Sequence, residues 1–194
     1  MFFVTQRNSE MNFDPDNVNF ERLHNPNGVL TLFQPTEAKL VHLRRFMVDS
    51  ELNLSDENRT PEKVDLLFEY FFTQIPQQVG VIHIFYEIGD FKGLLGLTDI
   101  LCGYRCNVFL KYWDSGEFTD KMGKEINKFL RLAMKELDLR RMATASADGR
   151  AVSIAEKCGF RIEGRQKYAV QYKGELYTNH LLRIIRKLNE KKEN

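Results

Sequence analysis

The stretch DGRAVSIAEKCGFRIEGR, from Asp148 to Arg165, decides the fold. Val152, Ile154 and Ala155 give its first half an apolar side, and Asp148 stands where a cap belongs. The spacing predicts a short amphipathic helix. Gly159-Phe160 stops that helix, and a strand follows that opens with charged and glycine residues. Helix, glycine stop and strand in this order are α/β grammar.

Working outward, Phe160–Val170 and Glu175–Ile185 read as two strands turned at Lys173-Gly174. Upstream, Arg140–Ser146 is a short strand. Before it, Met122, Ile126, Phe129, Leu130, Ala133 and Leu137 form one clean helical face. Tyr104–Trp113, Phe91–Ile100 and Val79–Ile88 are three strands in a row, the first pair in chain order joined through Gly89-Asp90. Thr60-Pro61 starts a helix whose apolar positions run from Val64 to Ile75, and Pro76 ends it. Thr36 caps an earlier helix carrying Leu40, Val41, Leu43 and Met47, and Gly28–Phe33 is the first strand. The order is β-α-α-β-β-β-α-β-α-β-β. A parallel pair needs a crossover, and the helix Met122–Leu137 supplies one between Tyr104–Trp113 and Arg140–Ser146. The expected fold class is therefore α/β: a mixed, mostly antiparallel sheet with a parallel pair at its centre and helices on both faces.

Three parts are expected along the chain: an extension over residues 1–27, a domain over 28–186 and a charged tail over 187–194. Within the extension, Phe13, Phe20 and Leu23 are scattered. It reads either as a loose tail or as an arm whose aromatics plug into a protein partner. The 194 residues are 43% apolar, which is enough for one sizeable core. Lys and Arg number 28 against 27 Asp and Glu, for a formal net charge of +1. That balance gives no global pull toward nucleic acid or an anionic membrane. Cys102, Cys106 and Cys158 make no disulfide framework and no metal cluster at finger spacing, so they read as small hydrophobes in a reducing, cytoplasmic setting. MFFVTQ is too short for a signal core, and no apolar run is long enough to span a bilayer.

The element order, together with Glu156, Lys157, Gly159, Phe160, Glu163, Gly164 and Gly174, resembles the GCN5-related N-acetyltransferase (GNAT) superfamily. Gly93–Ile100 (GLLGLTDI) and the phrase LAMKELDLRRMATA carry the same resemblance. The nearest branch looks like the ribosomal-protein N-terminal acetyltransferases with their antibiotic and polyamine relatives. The resemblance implies acetyl transfer from acetyl-CoA to an amine, with no metal. It implies that the sheet splays between Tyr104–Trp113 and Arg140–Ser146, and that the backbone of Val108, Phe109, Leu110 and Lys111 bonds the pantetheine. The pyrophosphate would sit at the N-terminus of the next helix, near Thr119, Lys121, Met122, Gly123 and Lys124, with Asp148 capping the helix after it.

The chain departs from the family pattern at that phosphate loop. Phe118-Thr119-Asp120-Lys121-Met122-Gly123 keeps only the last glycine, and Glu117 and Asp120 bring negative charge where phosphates would sit. Two readings stand: a weakened phosphate loop helped by Lys121 and Lys124, or an ordinary helix capped by Thr119 or Asp120. Ala151 and Ala155 occupy positions where relatives carry Ser or Tyr to protonate the leaving thiolate. A general base must then be sought on the sheet, where Asp99 is the first choice, followed by Glu87, Glu175 and the phenols Tyr112, Tyr168 and Tyr172. Two functions follow from the resemblance. One is an N-acetyltransferase acting on a protein N-terminus, a lysine or a small amine. The other is an inactive protein on the same scaffold, built into a larger assembly such as a viral particle. A homodimer through a sheet edge is a further expectation.

Overall fold

The computed structural model describes residues 20–24, 26, 28–49, 55–72, 82–113 and 115–186. The start of the extension, the residues expected to close the second predicted helix and open the strand after it, and the charged tail lie outside them.

Among the described residues the elements are α1 (Phe20–His24), β1 (Leu30–Leu32), α2 (Glu37–Asp49), α3 (Pro61–Phe72), β2 (Ile82–Ile88), β3 (Gly93–Leu101), β4 (Arg105–Tyr112), α4 (Asp120–Glu136), β5 (Arg141–Ser146), α5 (Gly149–Lys157), β6 (Arg161–Tyr172) and β7 (Glu175–Ile185). One sheet orders them β1-β2-β3-β4-β5-β7-β6. Only β4 and β5 pair in parallel, and α4 is the crossover between them. The mixed α/β sheet with a central parallel pair is as expected.

Strand alternation splits the apolar residues between two layers. One face carries Tyr86, Leu95, Leu97, Val108, Met142 and Leu182, and α4 and α5 close it with Ile126, Phe129, Leu130, Val152 and Ile154. The other face is aromatic: Phe33, Phe85, Phe91, Phe109 and Trp113 meet Leu43 of α2 and Phe68, Phe71 and Phe72 of α3.

The start of β3 differs from expectation. The β2–β3 turn takes more than Gly89-Asp90, because Gly89, Asp90 and Phe91 all hold positive φ and Lys92 N–H returns to the carbonyls of Ile88 and Gly89. The strand therefore starts at Gly93. Within residues 1–27, α1 packs on the α4 layer: Leu23 is fully buried there and Arg22 reaches Glu136 at 3.0 Å.

The opening stretch ends its helix as a Schellman motif. Gly159 N–H donates to Glu156 O and Phe160 N–H to Ala155 O, with Gly159 at φ +89°. A Cβ on Gly159 would come 1.9 Å from Asn127 Nδ2, which donates to Cys158 O at 2.6 Å. Gly159→Ala adds left-handed strain and breaks that bond, an expected loss of about 2–3 kcal/mol. Urea unfolding checks this, and an unchanged midpoint would show that the α4–α5 contact tolerates a side chain there.

Candidate active site

β4 and β5 hold together over three residue pairs, Arg105↔Arg141, Cys106↔Met142 and Asn107↔Ala143, and pair no further. Beyond Asn107 the strands part, while β4 stays paired to β3 through Lys111↔Leu94. The backbone of Val108–Leu110 is thus left without a strand partner on the side toward β5. The gap is a cavity of about 540 Å³, a size suited to a small molecule. Val108, Phe109, Leu110 and Lys111 line one wall, Ala143 to Ser146 the other, and Ala151 and Ala155 of α5 one end. Met47, Leu67 and Phe71 line the opposite end, so the cavity reaches from the α5 face to the α2–α3 face.

Asp99 lies in this cavity because β3 bulges. Thr98 opposes Asn107 and Leu101 opposes Arg105, so β3 carries one extra residue, and Asp99 there adopts φ +50°. Left-handed backbone is tolerated by Asp better than by most residues. Its carboxylate accepts from Tyr70 Oη at 2.6 Å and from Asn107 Nδ2 at 2.9 Å. Its N–H donates to His83 Nδ1 at 3.2 Å, and burial pushes the His83 pKa down, which keeps that nitrogen an acceptor. The hydrogen bond from Tyr70 to the carboxylate, and then burial, push the Tyr70 phenol up to about 12. Glu163 also lines the cavity, held between Arg141 and Arg183.

Other residues singled out from sequence are placed elsewhere. Glu87 is buried on the α2 side, paired with Lys39. Tyr112 is buried in the opposite layer, where its ring packs on Phe118 and its hydroxyl meets Met122 Sδ at 3.9 Å. Neither lines the cavity. Tyr172 and Glu175 belong to the β6–β7 hairpin, whose tip is held at Lys173 N–H and Gly174 N–H by the Asp56 carboxylate. Tyr168 is exposed on β6.

The first turn of α4 shows the cap. Thr119 accepts from Met122 N–H at 3.2 Å, so one of the helix's free donors is already used. Gly123 is buried, and a Cβ there would sit 2.8 Å from Lys157 O. Its lack of a side chain therefore serves close packing of α4 on α5. Lys157 pairs with Asp120 at 3.0 Å and donates to Phe118 O at 3.3 Å. Lys121 and Lys124 are exposed, and Lys124 borders a shallow hollow with Asp120, Ser153, Glu156 and Lys157. Asp148 caps α5 by accepting from Arg150 N–H at 2.8 Å.

Several solved structures share the fold. Spermidine N-acetyltransferase from Vibrio cholerae, in complex with CoA and spermine, superposes with a TM-score of 0.60 at 17% identity, over 82% of this chain and 96% of that one. This chain has the GNAT acetyltransferase fold. The GNAT likeness extends to the Microcin C7 self-immunity acetyltransferase in complex with acetyl-CoA and AMP, with a TM-score of 0.57, 14% identity and 82% and 94% coverage. A probable acetyltransferase gives 0.57, 18%, 84% and 96%. No family profile and no curated protein sequence matches the chain.

Sequence reasoning missed Tyr70 and Asn107 as partners of Asp99. Tyr70 stands beside Phe71 in an apolar helix, and a lone phenol in such a run was the available signal. Its raised pKa carries a sign that can be checked. The phenol favours its neutral form in the fold, so stability is full below pH 10 and falls as pH rises toward about 12. Tyr70→Phe should flatten that alkaline fall in urea midpoints measured across the window. An identical slope in both proteins would contradict the Tyr70–Asp99 bond.

Proposed function

We propose that this protein transfers an acetyl group from acetyl-CoA to an amine held in the same cleft. One observation carries the reading: a single cavity is lined by Val108–Lys111 where β4 and β5 part, and it reaches Asp99. The GNAT-fold structures crystallised with CoA and spermine, or with acetyl-CoA and AMP, support it.

Val108–Lys111 would bond the pantetheine as an added strand does, through alternate N–H and C=O groups. Thr119, Lys121, Met122, Gly123 and Lys124 at the start of α4, with Asp148 capping α5, would face the phosphates. There Lys121 and Lys124 act as point charges in place of missing backbone approach. Bound acetyl-CoA would supply an activated acyl carbon. Asp99 would take the proton from the acceptor ammonium, leaving the nitrogen lone pair free to attack. Tyr70 and Asn107 hold that carboxylate in place. The α5 wall offers only Ala151 and Ala155, so water would protonate the departing thiolate. Met47, Leu67 and Phe71 make the acceptor end apolar, and of the two lining carboxylates Glu163 is already held by Arg141 and Arg183, which leaves Asp99 for the ammonium. A monoamine with an apolar body suits that end better than a polyamine.

A second reading keeps the fold and drops the chemistry. The two alanines and the occupied first turn of α4 support a protein that binds CoA or a partner without turnover.

Acetyl-CoA at a hundredfold over its dissociation constant should stabilise the fold by about 2.7 kcal/mol. Ala143→Trp, which fills the gap between β4 and β5, should abolish that shift while the far-ultraviolet spectrum stays native. Asp99→Asn should bind acetyl-CoA as before and lower kcat/KM on a small primary amine by about 10²–10⁴-fold. Binding without turnover on any amine would select the second reading. The absence of any shift at millimolar acetyl-CoA would reject both cofactor roles.

A further inference from the structure

A second cavity, of about 650 Å³, lies between the C-terminal half of α4 and the paired strands β6 and β7. It shares no lining residue with the cleft. Five cations line it: Arg131 and Lys135 of α4, Arg161 of β6, Arg183 of β7 and Arg186 just beyond β7. Met134, Ile162, Ile184 and Ile185 supply its apolar lining, and no carboxylate is among its lining residues.

This grouping works against the fold in two places. Arg161 and Arg183 stand directly opposite each other in the β6–β7 register, and like charges opposite across a ladder repel. Arg131 and Lys135 are four residues apart on one helix face, where like charges also repel. The chain's formal charge is only +1, so the excess is local. Internal compensation is partial. Arg183 meets Glu163 at 3.1 Å, but that carboxylate is shared with Arg141. Arg186 pairs with Asp138, and Arg131 donates to the Ile185 carbonyl at 3.0 Å. Arg161 and Lys135 have no ion-pair partner among the described residues. An arginine engaged at one nitrogen keeps further N–H donors for another acceptor.

We propose that this cavity binds a compact polyanion, a small molecule bearing phosphate groups. Four of the five cations are arginines, whose planar forks match phosphate oxygens in pairs. The volume suits a small molecule. A bridging polyanion turns both repulsive pairs into attractive contacts. The site is independent of acetyl transfer and stands whether or not the cleft is active.

Sodium tripolyphosphate is the probe, titrated by calorimetry at low salt and followed by thermal melting. The wild-type protein should bind it and melt higher in its presence, and added salt should weaken both effects. Arg161→Gln with Lys135→Gln should lower the affinity by at least about tenfold through loss of charge-assisted bonds. The same double variant should melt no lower than wild type in anion-free buffer, because repulsion has been removed. Acetyl-CoA titrations should be the same for both proteins. No heat or shift with wild type at millimolar probe would overturn the proposal. So would tripolyphosphate binding retained by the double variant, which places the anion elsewhere. A double variant that melts lower without anion would make the cations structural and overturn it too.

Discussion

The parting of β4 and β5 after Asn107↔Ala143 is the constraint on which the site depends. A parallel pair inside a sheet normally stays closed, because each unpaired backbone group costs free energy when buried. Here the strands are pinned by their neighbours. β3 holds β4 along its length, and β7 holds β5 through Ser146↔His180. With α4 and α5 packed over one face and the aromatic layer under α2 and α3 over the other, the gap is kept open by two cores and not by a loop. A cleft built this way is rigid on both walls, which suits it to align two reactants.

The bulge on β3 brings the Asp99 carboxylate into the cleft. It costs Asp99 a left-handed backbone, and three hydrogen bonds, from Tyr70, from Asn107 and to His83, hold the residue there. The start of α4, where the proposed reading puts the phosphates, is less prepared. Thr119 consumes a donor, Gly123 is committed to Lys157, and Asp120 keeps a negative charge at the helix start. On the proposed reading, the cleft is complete where the pantetheine and acceptor would lie and meagre where the pyrophosphate would.

Much of this was legible in the sequence. The glycine stop at Gly159-Phe160, the crossover helix and the final hairpin set out the element order, and the resemblance to the GNAT superfamily put the gap between Tyr104–Trp113 and Arg140–Ser146. Val108–Lys111, Ala151 and Ala155 could be placed on its walls for that reason. What sequence did not show is face and partner. Glu87 and Tyr112 sit on strands of the right sheet, yet period-two alternation sends Glu87 to Lys39 and Tyr112 to Phe118. The bulge that turns Asp99 inward leaves no mark in LTDI, because one extra residue in a strand looks like any other. Tyr70 meets Asp99 across 29 positions of chain, and such a contact has no local signature. The Arg161–Arg183 opposition likewise appears only once the β6–β7 register is known.

Amide hydrogen exchange with and without acetyl-CoA tests the central claim most directly. Exchange at Val108–Lys111 should slow on binding, because the edge of β4 that faces the gap gains backbone partners, while β1 and the Arg161–Arg183 region stay unchanged. Protection that appears only around Asp120–Lys124, or nowhere on β4, would contradict the account.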